Sequence, residues 1–264
     1  MNTVALNRHK GHKNRTISMP EASQPRRSDF DWAAAPGAAG PATAMTAEEL
    51  LGPLNDVEHV HAPALLFVAG DASLLRRKPK VAIVGSRQAT DEGTRRARRL
   101  ARVLVEHGAV VVSGLAAGID TAAHLATLEA GGRTIAVIGT PLNQSYPRAN
   151  ASLQHEIATR HALVTQFPAD FPTRPANFPM RNRTMALICD ATVIVEGGEK
   201  SGSISQGWEA LRLGRALFLM ASILDRTDLT WPRKMMEYGA DVLRDPDDLL
   251  EALPFGEHLS AVSF

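Results

Sequence analysis

Val81-Ala82-Ile83-Val84-Gly85-Ser86-Arg87 reads as a buried strand running into a small-residue turn. Four successive apolar residues, mostly β-branched, fit a parallel strand covered on both faces. Gly85 closes the strand, Ser86 offers a hydroxyl and Arg87 supplies a permanent cation. Thr90, Asp91 and Gly93 follow, and a helical pattern opens over 91–107. Free backbone N–H groups and the positive end of a helix then meet at one turn, an arrangement that suits a phosphate.

The same strand-then-helix unit recurs on either side. Leu65-Leu-Phe-Val68 is a first strand. Further strands are predicted at 81–85, 110–114, 135–139, 163–167, 191–196 and 216–220. Helical patterns fall near 91–107, 119–130, 150–160, 180–188 and 203–213. Such alternation dictates right-handed crossovers. The predicted class is α/β: a doubly wound, mostly parallel sheet with helices on both faces. Ligands of such sheets bind at the carboxyl ends of the strands. On the first crossover helix, Ala97, Leu100, Ala101 and Leu104 form the buried stripe. Arg95, Arg98, Arg99 and Arg102 share another face, either solvated or facing a nucleic acid or acidic partner.

Length and composition set the frame. With 264 residues and 44% hydrophobic content, one large domain with appendages is expected. Residues 1–45 read as a disordered tail, with Arg8, Lys10, Lys13, Arg15, Arg26 and Arg27 among Asn, Ser, Pro and Gly. Thr46-Ala-Glu-Glu49 is a capping box for a short helix through Leu51, within a lead-in over 46–78. The core spans 79–253, closing with a helix near 234–238, a strand at 241–243 and a helix near 246–252; 254–264 reads as frayed. A net charge of +1 means that affinity for nucleic acid must come from local clustering of cations. The single cysteine, Cys189, excludes a disulfide framework and a multi-cysteine metal site, and reads as a buried structural thiol. No cofactor or metal is expected. No apolar run reaches membrane length and no secretory pattern is present, so a cytoplasmic location without membrane contact is expected.

The strand ends carry the candidate site. Ser113-Gly114-Leu-Ala-Ala-Gly118-Ile-Asp120 follows the second crossover strand, and Gly114 and Gly118 allow close backbone approach to a ligand. Asp120 either caps the next helix or holds a ligand group. His124 reads as structural rather than catalytic. The long Pro-rich loop from Phe167 to Arg183 contains Arg174, Asn177, Phe178, Arg181, Asn182 and Arg183. An aromatic platform among cations and amides is what a single-stranded nucleic acid requires. Ser201, Gly202 and Ser203 enter the following helix at its N-terminus as a second anion cradle.

Together these residues resemble the DNA-processing protein A family, DprA or Smf. The resemblance rests on Val81 to Arg87, Ser113-Gly-Leu-Ala-x-Gly-Ile-Asp120 with Ala123-His124, Asn177-Phe-Pro-x-Arg-Asn-Arg183, Ser201-Gly-Ser203 and Leu213-Gly-Arg215. The matches run in family order over about residues 60 to 220. The resemblance implies an extended Rossmann-like fold that binds single-stranded DNA, forms a homodimer and loads RecA in transformation or recombination, without catalysis. It implies that Ser86, Arg87, Ser113, Gly114, Phe178, Arg181 and Arg183 line the DNA pocket. The sequence departs from the family pattern at Ser205-Gln206, Met220-Ala221 and Leu229-Thr-Trp-Pro-Arg233. No stretch reads as the N-terminal SAM-like helical domain or the C-terminal winged helix, which points to a trimmed, divergent branch. A toxin-like partner in phage defence is an alternative to RecA.

Two other readings use the same fold. One is a sensor for a small nucleotide. The other is a nucleoside-monophosphate phosphoribohydrolase, for which Gly197, Gly198 and Glu209 are loose analogues. Its compact Pro-Gly-Gly-x-Gly-Thr-x-x-Glu signature is absent, with Glu196 in place of the proline.

Overall fold

The computed structural model describes residues 42–253. Nine strands form one sheet in the order β1-β2-β6-β5-β4-β3-β7-β8-β9. They are β1 Thr43–Met45, β2 Leu66–Gly70, β3 Lys80–Gly85, β4 Val110–Ser113, β5 Arg133–Val137, β6 Ala162–Thr165, β7 Ala191–Glu196, β8 Ala216–Met220 and β9 Asp241–Leu243. From β6 to β9 every pairing is parallel. Only β1 and β2, at one edge, pair antiparallel. The mostly parallel, doubly wound α/β architecture is as the alternating pattern predicts.

Ten α-helices accompany the strands among the described residues. They are α1 Ala47–Leu51, α2 Asp56–His61, α3 Asp91–Glu106, α4 Ile119–Glu129, α5 Ala151–Arg160, α6 Asn177–Ile188, α7 Gly202–Arg212, α8 Ala221–Leu224, α9 Trp231–Glu237 and α10 Pro246–Ala252. The strand alternation of period two divides the core into two layers. Val81 and Ile83 of β3 pack with Val111, Val193 and the α3 stripe Ala97, Leu100, Ala101 and Leu104. Ala82 and Val84 face the other way, with Val112, Ile194, the α6 residues Met185 to Ile188 and Cys189 just after them. Burial pushes the Cys189 thiol well above its ordinary range, consistent with a structural thiol.

Two sequence expectations need correction. Thr43–Met45 forms β1 against β2, inside the span expected to be a tail; the rest of that tail and the 254–264 end lie outside the described residues. The Phe167–Arg183 segment is not a loop throughout, because α6 already begins at Asn177. Pro179 is its third residue. The first four N–H groups of a helix have no intrahelical acceptor, so proline costs nothing there.

Chain order fixes where a ligand can sit. From β3 the chain winds through β4 and β5 to β6, then returns through α6 to β7 on the opposite side of β3. The strand order therefore reverses between β3 and β7. Loops leaving these neighbours diverge and open a crevice at their carboxyl ends.

Candidate functional site

A cleft of about 660 Å³ occupies that crevice. Four chain segments converge on it: Gly85 to Gln88 after β3, Ala116 and Asp120 after β4, the first two turns of α6, and Gly198 to Gln206 leading into α7. Of the expected site residues, Gly85, Ser86, Arg87, Phe178, Arg181, Asn182, Ser201, Gly202 and Ser203 line it.

At the cleft, cation and aromatic ring are paired. The Arg87 guanidinium lies 5.4 Å from the centroid of the Phe178 ring, within cation–π range. Tyr146 meets the other partner of the pair, its ring 5.3 Å from that of Phe178 at a tilt of 46°. Phe178 has its place because Gly139 leaves room; a Cβ there would come within 2.8 Å of the ring. Tyr146 is half exposed. The cleft also gathers Lys200 and Gln88. The sequence reading missed Lys200, Gln88 and Tyr146, since lone residues in loops have no periodicity to betray them.

The expected anion seats turn out unequal. The N-terminus of α3 is already occupied by a carboxylate. Glu196, at the end of β7, accepts from the Thr90 hydroxyl at 2.5 Å and from the Thr90 N–H at 3.2 Å. Gly93 lacks a side chain where Glu196 would collide with one. The helix start beside Gly85-Ser86-Arg87 is thus neutralised from within, and Arg87 rather than the α3 dipole is what remains for a ligand. The Ser86 hydroxyl accepts from the Gln88 N–H at 3.1 Å, holding the turn. At α7 the picture differs. Its N-cap, Ser201, makes no side-chain capping bond to the helix. The Ser201 and Ser203 hydroxyls lie 2.7 Å apart, and both residues line the cleft with Gly202. This helix start keeps donors and dipole for an anion.

Arg181 behaves unlike a surface cation. It is only 6% exposed. Its guanidinium donates to the Val137 carbonyl at 3.1 Å and stands 4.0 Å from the Asp120 carboxylate. Asp120 in turn accepts from the Gly114 N–H at 3.0 Å and the Ala116 N–H at 3.4 Å. Burial raises the Asp120 carboxyl, while Arg181 and these N–H groups pull it back down. Burial likewise lowers Arg181, opposed by Asp120. Gly114 sits directly against the guanidinium, with no space for a Cβ. Gly118, at φ +77°, packs on the Ser86 and Arg87 carbonyls. Gly114 and Gly118 therefore make room for Arg181 and the Arg87 turn, rather than for a ligand directly. Of the two roles open to Asp120, it takes a structural one, binding its own loop.

The remaining expected residues are scattered. The Ser113 hydroxyl is buried and donates to the Ile83 carbonyl at 2.7 Å. Asn177 is buried and donates to the Pro172 carbonyl at 3.2 Å, closing the loop before α6. Asn182 donates to the Gly202 carbonyl at 3.1 Å and so ties α6 to the start of α7. Arg183 faces Glu209 at 3.4 Å, away from the cleft lining. Arg174 is exposed on the loop and does not line the cleft. His124 is structural. Its Nδ1 lies 2.7 Å from the Thr134 hydroxyl, which donates to the Val111 carbonyl. Burial, with His161 and Arg181 adding to it, holds His124 down to about 3. Among the described residues no group of His, Cys, Asp and Glu is placed to hold a metal, and no helix is long and apolar enough to cross a membrane.

Comparison with known proteins agrees with this architecture. DNA processing protein DprA of Bacillus subtilis is 37% identical over 192 residues, which is 73% of this chain and 65% of the relative. DprA of Streptococcus pneumoniae is 40% identical over 74% of this chain and 68% of its own. Protein Smf of Escherichia coli is 36% identical, over 74% of this chain and 52% of its own. The chain thus spans between 52% and 68% of the length of these relatives. Among solved structures, DNA processing protein A from Streptococcus pneumoniae superimposes with a TM-score of 0.69 at 34% identity, covering 82% of this chain and 76% of that one. The Helicobacter pylori protein gives 0.67 at 28% identity, covering 79% and 94%. The model of the DNA recombination-mediator protein A family matches residues 48–254, and the chain belongs to that family.

Proposed function

We propose that the cleft binds single-stranded DNA and that the protein works by binding rather than by catalysis. The observation that carries this reading is the Arg87–Phe178 pair, a guanidinium 5.4 Å from an aromatic face in a cleft that the α7 N-terminus and Lys200 also line. An aromatic ring stacks on any base, and cations with helix-end N–H groups take the backbone phosphates, which gives affinity with little sequence preference. The Helicobacter pylori relative has a described single-stranded DNA binding mode, which supports the same ligand here. Arg87, Phe178, Asn182, Ser201, Gly202 and Ser203 are the contact residues in this reading. Arg181, Gly114, Gly118 and Asp120 shape the pocket, and Arg174 and Arg183 reach only the outer path of the strand. Among the described residues that line the cleft no nucleophile is paired with a base, and His124 is fully buried outside that lining.

In the same reading the chain serves DNA processing and recombination in the cytoplasm. Its partner is RecA or a toxin-like protein, and a homodimer is the working assembly; family membership supports these readings. Fluorescence anisotropy with labelled oligo-dT at low salt tests the central one. Arg87→Ala should weaken binding for every sequence tried, and affinity should fall steeply with salt. Absence of oligonucleotide binding at low salt would sink the proposal, and displacement of the oligonucleotide by mononucleotides alone would assign the cleft to a small nucleotide instead.

A further inference from the structure

The basic face of α3 divides in the structure. Arg98 and Arg102 are drawn to Glu129 of α4. Arg95 and Arg99 instead line a separate groove of about 310 Å³, together with Arg96 and Arg244. Arg96 is fixed there: its Nη1 donates to the Ser222 hydroxyl at 2.5 Å and its Nε stands 3.0 Å from Glu92. Arg95 also meets Glu92, at 2.5 Å, and Arg99 meets Asp245 at 3.6 Å. Four guanidinium groups thus share two lining carboxylates, leaving a surplus of positive charge. The rest of the lining is apolar, from Leu100, Met220, Leu243 and Pro246.

The position of this groove is informative. Met220 and Leu243 are the last residues of β8 and β9, so the groove opens at the same carboxyl edge as the cleft. The strands run β3-β7-β8-β9. At 4.7–4.9 Å per step, the ends of β3 and β9 are roughly 14 Å apart. Glu196 lies between them, but its carboxylate is already engaged by Thr90. We propose that this arginine groove is a second phosphate-binding site, which takes the backbone of the same single strand as it leaves the cleft across β7 and β8. The inference rests on the cleft reading. Guanidinium groups match phosphate oxygens as paired donors, and the apolar lining accommodates sugar and base. Location on the shared edge favours the polymer already held in the cleft over an acidic polypeptide.

The test combines Arg95→Ala, Arg99→Ala and Arg244→Ala in one variant. Arg95 and Arg99 have side chains 68% and 72% exposed, so folding should be unaffected, which a melting curve checks. Anisotropy would be read with oligo-dT of about four and about sixteen nucleotides, the extremes of single-strand site sizes. The short oligonucleotide, confined to the cleft, should bind the variant as it binds the unchanged protein. The long one should bind on the order of tenfold more weakly, with its salt slope reduced by about 2, or about 0.7 for each lost phosphate contact. Equal binding of both lengths by variant and unchanged protein would overturn the inference while leaving the cleft intact. Loss of polyglutamate binding without loss of the long oligonucleotide would assign the groove to an acidic polypeptide and overturn it too. If Arg87→Ala leaves both lengths untouched, or no oligonucleotide binds the unchanged protein, the cleft reading itself has failed and takes this one with it.

Discussion

Replacing Arg181 by Met should unfold the protein more easily at neutral pH than any loss of a surface cation would. Arg181 and Asp120 are both nearly buried, with side chains 7% exposed, and face each other at 4.0 Å. Removing one partner of a buried pair leaves the other charge uncompensated, at a cost of about 3–5 kcal/mol. Two backbone N–H groups still serve Asp120, and the pair is long, so the lower end applies, about 3 kcal/mol. For a domain of this size that lowers the melting temperature by about 6–12 °C. The effect has a pH signature. Burial already raises the folded Asp120 carboxyl above its ordinary value of 3.8, and Arg181 opposes that rise. Without Arg181 the carboxyl rises further. A carboxyl raised in the folded state favours folding most at low pH, and that advantage is lost as pH rises through 3.8 to the folded value. The penalty of Arg181→Met should therefore be smaller near pH 4 than at pH 7. Urea unfolding at both values is the assay. A variant that unfolds at the same urea concentration as the unchanged protein, yet has lost oligonucleotide binding, would refute the reasoning and make Arg181 a phosphate contact.

Two further outcomes are expected. His124, held down to about 3 by burial, should show no titration by NMR between about pH 5 and 8. Its folded value lies below the unfolded one, near 6.5, so its contribution to stability is complete above 6.5 and is lost as pH falls from there toward 3; a titration midpoint near 6.5 would contradict its placement. Leu104→Ala on α3, where Leu104 is fully buried against the α3–α4 layer, should cost about 2–5 kcal/mol in urea unfolding. Oligonucleotide affinity, measured well below the transition, should not change.

The sheet was legible because its signal is redundant. Val81 to Val84 and Val110 to Val112 are apolar runs, and Ala191 to Val195 is one broken only by Thr192; each is closed by a small or polar residue, and their alternation with helical patterns implies the crossovers. The edge strand β1 was not legible. Thr43-Ala-Met45 is three residues long beside an Ala, Gly and Pro run, and its partner β2 alone makes it a strand. The start of α6 was hidden by Pro179, a residue that reads as a breaker unless its place in the first turn is known. The site was half legible. Arg87 and Phe178 stand out by residue type, but their 5.4 Å approach joins segments more than 90 positions apart. Arg181 looked like another phosphate ligand because sequence gives a guanidinium no burial. That Asp120 sits 4.0 Å from it depends on how α4 and α6 meet around β5, which no local pattern encodes.

The Glu196 carboxylate at the start of α3 has a wider meaning. In dinucleotide-binding sheets of this winding, the first crossover helix gives its N-terminus to a pyrophosphate. Here that seat is filled permanently by a residue of the protein itself, joined to Thr90 and fitted against Gly93. A soluble dinucleotide arriving at the crevice would meet a negative charge where it needs N–H groups. The start of α3 is thus closed to a pyrophosphate by the protein's own carboxylate, and the start of α7, whose N-cap side chain makes no capping bond, is the helix end that still offers donors to the cleft.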